Sequence, residues 1–222
     1  MSNTVRTLRA TAASMLLEIG AAIGTFVGLS WFGANAALAV VRGVGTSPAD
    51  AGVPEEAVWF GILVAASLGT IWLERSGYRT IRANPAGGGE FARLSVCYLP
   101  VTFLPAGYAL SSVVGGSGLV VNLYLIACVL VGGWLSFYGG LERLDVTSAY
   151  FVRTFLLVFC SAVFLAVAGV LLPVSDVLRV FVRTPVLGGA TLALFALAGQ
   201  ILVLFAGFGI AVRDPTPVLD CR

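Results

Sequence analysis

The side chains of this chain that could do chemistry are few, and their spacing scatters them. Glu18 stands at the head of the first long apolar run, and the pairs Glu74-Arg75 and Glu142-Arg143 stand at the ends of two later ones. Charges at such ends can meet headgroups and water, whereas a charge in the middle of an apolar run would need a buried partner. The strongly polar side chain nearest the middle of a run is Gln200, whose amide donates and accepts at once and so suits a link between helices. Pro100 and Pro105 fall within a single apolar run. Each lacks the N–H a helix needs, leaving the carbonyls of Val96 and Val101 without intrahelical partners, so a kink or break is expected there. Backbone opened in this way is a candidate ligand or solute site, with Tyr98, Thr102 and Tyr108 as its side chains.

Other chemistries lack their residues. There is no histidine, and all 13 basic residues are arginine, so His-ligated haem, His-bound zinc and a Ser-His relay are excluded. Cys97, Cys128, Cys160 and Cys221 are far apart with no CxxC pair, and read as buried free thiols. The aspartates Asp50, Asp145, Asp176, Asp214 and Asp220 are scattered, so no carboxylate cluster for a metal-bound diphosphate is expected. Gly87-Gly88-Gly89 lacks the lysine of a phosphate-binding loop and flanks no strand; it reads as a flexible turn. No catalytic residue, metal site or cofactor is expected. A net charge of +2 without a basic tract offers nothing to nucleic acid.

The elements that must position these residues follow from hydropathy. Of 222 residues, 59% are apolar and 11% charged, and a water-soluble fold of that composition would expose very large apolar patches. Lipid is the expected solvent. A helix needs about 20 apolar residues to cross the hydrocarbon, and six runs qualify: Ile19 to Val41, Ala57 to Leu73, Leu94 to Val114, Leu119 to Gly140, Thr154 to Leu172, and Val186 to Val212. The expected fold is all-α, a single membrane domain over residues 1–222 built as a six-transmembrane-helix bundle. Gly- and Pro-rich stretches such as Asn84-Pro85-Ala86-Gly87 join the runs as turns. Arg6 and Arg9 followed by an apolar run resemble a secretory signal, but Glu18 interrupts the run's head and the run is longer than a signal's core, so an uncleaved first helix is expected.

Small residues recur every fourth position at Gly20, Gly24 and Gly28, at Gly61, Ala65 and Gly69, and at Gly132, Ser136 and Gly140. In lipid, close backbone approach along such stripes drives helix association, so these are expected contact faces. Between the fifth and sixth runs, Val174 to Arg183 is bracketed by prolines and places Asp176, Arg179 and Arg183 on one helical face. An interfacial amphipathic helix touching lipid headgroups is expected, with a shallow re-entrant loop as the alternative. Arg6, Arg9, Arg75, Arg79, Arg82, Arg93, Arg143, Arg153, Arg213 and Arg222 fall on one side of the membrane, against Arg42, Arg179 and Arg183 on the other. Positive-inside topology then puts both termini in the cytoplasm, with the chain a multi-pass protein of the cell membrane and Glu18, Glu74, Arg75, Glu142 and Arg143 at its cytoplasmic rim.

The scarcity of charge at mid-depth disfavours ion-coupled transport. The function expected is therefore association: a non-enzymatic subunit or scaffold of a membrane assembly, with lipids and either a protein partner or a second copy of the chain as partners. A channel or transporter for a small solute near Pro100, Pro105 and Gln200 is the alternative. A lipid- or isoprenoid-acting enzyme using Glu18, Glu74 and Glu142 comes third.

Overall fold

A computed structural model of the chain describes residues 3–45, 48–114, 118–171 and 189–213. Among these, the regular elements are all helical. The first apolar run lies within a longer helix, α1 (Asn3–Val44), rich in the good helix formers Ala and Leu. It ends where Gly45 turns left-handed at φ 74° and sends its N–H back to the Val41 carbonyl at 3.0 Å. Behind Pro54, α2 (Glu55–Trp72) opens with Glu55 and Glu56 in its first turn, where carboxylates meet the positive end of the helix dipole. It continues through a π-helical turn, Leu73–Gly77, into the short α3 (Tyr78–Thr80).

The third run is divided. A 3-10 turn, Pro85–Gly87, leads into α4 (Gly88–Ala92), a π-helical turn at Arg93–Tyr98, and α5 (Leu99–Thr102). After a bend of 62°, α6 (Leu104–Val113) follows. The remaining helices are α7 (Gly118–Phe137), α8 (Gly140–Arg143), α9 (Ser148–Leu171) and α10 (Gly189–Arg213). The fourth run is shorter than expected: α7 stops at Phe137, Gly139 takes φ 65°, and Gly140 belongs to α8.

By length and composition, Thr11–Val44, Glu55–Thr80 and Gly118–Phe137 are long and apolar enough to cross a membrane. Pro85–Thr102 with Leu104–Val113 makes a fourth crossing if the bent pair is one span. Shorter apolar stretches, Ser148–Phe164 and Ala193–Gly209, occupy the fifth and sixth runs. The segment 174–183, carrying Asp176, Arg179 and Arg183, lies outside the described residues.

Contacts group the chain into two compact units, Met1–Cys97 with Asn122–Asp145, and Tyr98–Val121 with Val146–Arg222. In the first, α1 packs on α2 and α4; in the second, α10 packs on α6 and α9, and α5 on α9. The side chains buried most completely are mostly hydroxyls, Thr25, Ser95, Thr102 and Thr154 beside Leu94 and Leu99. Large apolar side chains face outward instead, with Leu17, Phe60, Leu202 and Phe205 at 75%, 69%, 70% and 72% exposure. So large an exposed apolar surface departs from that of a water-soluble protein, and buried hydroxyls are accommodated because each can bond the carbonyl one turn back. Thr25 donates to Ala21 at 3.0 Å, Thr70 to Ala66 at 2.9 Å, Ser136 to Gly132 at 2.7 Å and Thr154 to Tyr150 at 2.8 Å.

Candidate functional site

In the second unit the polar groups converge on the proline break. Pro105 has no N–H to offer the Val101 carbonyl, and Phe103 leaves helical geometry at φ −99°, ψ 15°. The helix restarts as α6, with Pro105 in its first turn, where a missing N–H costs little. From α10, the buried Gln200 inserts its amide at this joint. Its Oε1 accepts from the Ala106 N–H at 3.3 Å, and its Nε2 donates to the Thr102 carbonyl at 3.0 Å. In an unbroken helix those two backbone groups would bond each other. One side chain therefore stands in for the missing rung of the ladder and ties α10 to the bend.

The height of Gln200 is set by contacts one to two turns further along α10. The Tyr150 hydroxyl donates to the Leu204 carbonyl at 3.1 Å, and Gly207 lies so close to α9 that an added Cβ would stand 3.2 Å from Thr154 Cβ. Beside the joint, the Thr102 hydroxyl is buried without a hydrogen-bond partner. Tyr98 meets Phe155 edge-on with ring centroids 5.5 Å apart, Pro100 is buried on the preceding helix, and Tyr108 is exposed. Of the residues expected at this site, Thr102, Pro105 and Gln200 come together and Tyr108 does not join them.

No known family profile, curated protein or solved structure matches this chain.

In the first unit the glycines pack helices against each other. A Cβ on Gly24 would overlap the Gly88 carbonyl and stand 2.7 Å from Gly89 Cα, and one on Gly28 would stand 2.6 Å from Phe91 Cδ1. From the other side, a Cβ on Gly87 would stand 2.9 Å from the Ser136 carbonyl carbon. Asn84 fixes the approach, its N–H donating to the Phe137 carbonyl at 2.8 Å and its side chain accepting from the Ala86 N–H at 3.0 Å. The run Gly87-Gly88-Gly89, expected as a flexible turn, is thus a helix start packed against α1 and α7.

The other stripe positions divide. An added Cβ on Gly69 would stand 3.2 Å from Leu29, and one on Gly132 would stand 3.3 Å from the Ser95 nitrogen, so both are helix contacts. Gly20 and Gly61 have open space, and Gly140 abuts Trp134 and Leu135 of the helix just before it. Two contacts were not foreseen from the residues alone: the Tyr78 hydroxyl shares a hydrogen bond of 2.8 Å with Thr25, and Arg42 donates to the buried Asn122 at 3.0 Å.

Among the rim charges, Glu18 and Glu74 line one cavity, of about 450 Å³, and Arg75 lines the adjoining one. Glu142 and Arg143 are exposed on α8 and line neither. Among the described residues, no three His, Cys, Asp or Glu side chains gather closely enough to hold a metal ion.

Proposed function

We propose that this chain is a non-enzymatic subunit or scaffold of a membrane assembly, a bundle of six crossing helices in the cell membrane with both termini in the cytoplasm. The buried Thr25, Thr70, Ser136, Thr154 and Gln200 are engaged in internal links, and large apolar side chains face outward, so helix association is the task its surface serves. The observation that carries this reading is a groove of about 430 Å³ beside α1 and α2, lined by Gly33, Gly61, Ala65 and Gly69 with Leu29 and Ile62. Among the described residues, an added Cβ on Gly61 would meet nothing within 4 Å, so their packing leaves this part of the stripe open. Small residues there let a partner helix bring its backbone close, the main source of association in lipid.

Gly61→Leu is the test. It is expected to reduce the oligomer or partner content of gently solubilised membranes about tenfold, equivalent to about 1.4 kcal/mol, without lowering the melting temperature of the isolated chain. Unchanged content, read by native mass spectrometry, would remove the basis for the proposal.

The Thr102 hydroxyl, buried without a partner, favours a second reading, a passive route for a small neutral solute past the break. Under it, Thr102→Val abolishes neutral-solute flux into reconstituted vesicles and leaves assembly intact. Equal flux with and without the hydroxyl counts against it.

A further inference from the structure

Where the second candidate span ends, the chain builds a small concave site of about 260 Å³ lined by Glu74, Arg75, Ser76, Tyr78, Arg79 and Arg82 together with apolar neighbours. Arg75 comes from the π-helical turn, Arg79 from α3 and Arg82 from just past the helix end, and all three line this one site. None of the three makes a side-chain hydrogen bond or ion pair with another described residue. Against them the site offers a single carboxylate, Glu74.

The backbone at Arg82 gives this cluster its meaning. The Ala83 N–H donates to the Tyr78 carbonyl at 2.9 Å and the Arg82 N–H to the Arg79 carbonyl at 3.3 Å, the bond pair of a Schellman helix end. The residue after such an end is left-handed and is usually glycine, because any Cβ is strained there. Here that residue is Arg82, at φ 53°. Arginine lacks the short polar side chain that eases Asn or Asp into this conformation. Its presence therefore costs the fold something that glycine would not, and points to work done by the guanidinium.

The cavity lined by Glu18, Glu74, Leu17, Ala21, Pro85 and Ala86 adjoins this one and shares Glu74 and Pro85 with it. Three arginines thus stand next to two carboxylates, at the end of a span whose last turns carry the exposed Trp72. Indole side chains favour the depth at which headgroups lie. Planar guanidiniums match the geometry of a phosphate.

We infer that this helix end binds the headgroup of an amine-bearing phospholipid, its phosphate among Arg75, Arg79 and Arg82 and its ammonium toward Glu18 and Glu74. The inference rests on the chain's residence in a membrane but not on its role in an assembly, so loss of oligomers in Gly61→Leu leaves it untouched.

The experiment places the full chain in nanodiscs of equal parts phosphatidylethanolamine and phosphatidylglycerol, transfers it to detergent, and counts retained lipid by native mass spectrometry. One phosphatidylethanolamine per chain is expected, favoured about tenfold over phosphatidylglycerol. Arg82→Gly relieves the backbone and is expected to melt no lower than the unaltered chain while losing both lipids; Arg79→Gln provides the same loss without touching the turn. Glu18→Gln is expected to keep a lipid but turn the preference toward phosphatidylglycerol. Equal retention of the two lipids by the unaltered chain overturns the inference, as does full retention by Arg82→Gly and Arg79→Gln. Displacement of the lipid by inorganic phosphate at low concentration overturns the lipid assignment in favour of a soluble phosphate.

Discussion

Gln200→Leu is expected to destabilise the chain by about 2–6 kcal/mol, because it removes the partners of two backbone groups at once and leaves each with a desolvation cost of about 1–3 kcal/mol. Interhelical hydrogen bonds in membranes are often worth only about 0.6 kcal/mol, since the separated helices find other partners. The joint at Phe103 is a different case. Gln200 is 5% exposed, so water cannot take its place, and the Ala106 N–H and Thr102 carbonyl are held apart by the bend rather than free to pair. For a chain of this size a loss of that order lowers the melting temperature by about 4–24 °C, readable by thermal unfolding in detergent micelles. Gln200→Glu keeps the acceptor for Ala106 but as a carboxylate has no donor for Thr102, and should also destabilise where it is ionised. The sharper comparison is with Pro105→Ala, which returns the missing N–H to the helix. If Gln200 acts by bridging the break, Gln200→Leu costs less in the Pro105→Ala background than alone, a coupling of about 1 kcal/mol or more. Additive costs would mean that the amide stabilises something other than the joint.

Much of this joint is legible in the sequence. Pro100 and Pro105 in one apolar run announce a break, and a lone glutamine in another run announces a link between helices. What the residues do not state is that position 200 stands level with positions 102 and 106. That register depends on Gly207 meeting Thr154 and on Tyr150 reaching the Leu204 carbonyl, contacts of side chains with the backbone of residues far away in sequence. Helix content is readable for a general reason: hydropathy reports the solvent, and lipid demands that backbone groups be satisfied within the segment. Its boundaries are less so. The Gly139-Gly140 pair that stops α7 early carries the signal of a left-handed turn, but sits at a spacing that also fits a small-residue stripe.

The glycines show the same ambiguity. Asn84 and Pro85 before Gly87-Gly88-Gly89 are a helix-start signal, a capping residue followed by a proline suited to the first turn, and on that reading the segment need not be a loop. Composition alone cannot separate a glycine kept for flexibility from one kept for closeness. Arg82 is hidden more deeply, since left-handed helix ends are read from glycine or asparagine and an arginine conceals one.

Closeness is testable with one methyl group, through two adjacent residues expected to respond with opposite sign. A Cβ on Gly88 would overlap the Ala21 carbonyl oxygen and stand 2.8 Å from its carbon, with the Thr25 hydroxyl equally crowded. Backbone of a packed helix cannot step aside as a side chain can, so Gly88→Ala forces α4 away from α1 and also disturbs the hydroxyl that Thr25 shares with Tyr78. Overpacking of this kind costs about 1–3 kcal/mol or somewhat more, from which the helix-forming advantage of Ala over Gly subtracts about 0.5–1 kcal/mol. A net loss of about 1–2 kcal/mol is expected once that advantage is subtracted. Gly89→Ala differs by one position, yet its Cβ would have the Gly20 carbonyl at 3.9 Å as its nearest neighbour. There the propensity term stands alone, and a gain of about 0.5 kcal/mol is expected. Melting curves of the two variants in the same micelles decide the matter. If both lower the melting temperature alike, the glycine run is needed for its freedom rather than its size; if only Gly88→Ala does, the close crossing of α1 and α4 is what the run is for, and Gly24→Leu must then fail by unfolding the bundle before it can fail by losing a partner.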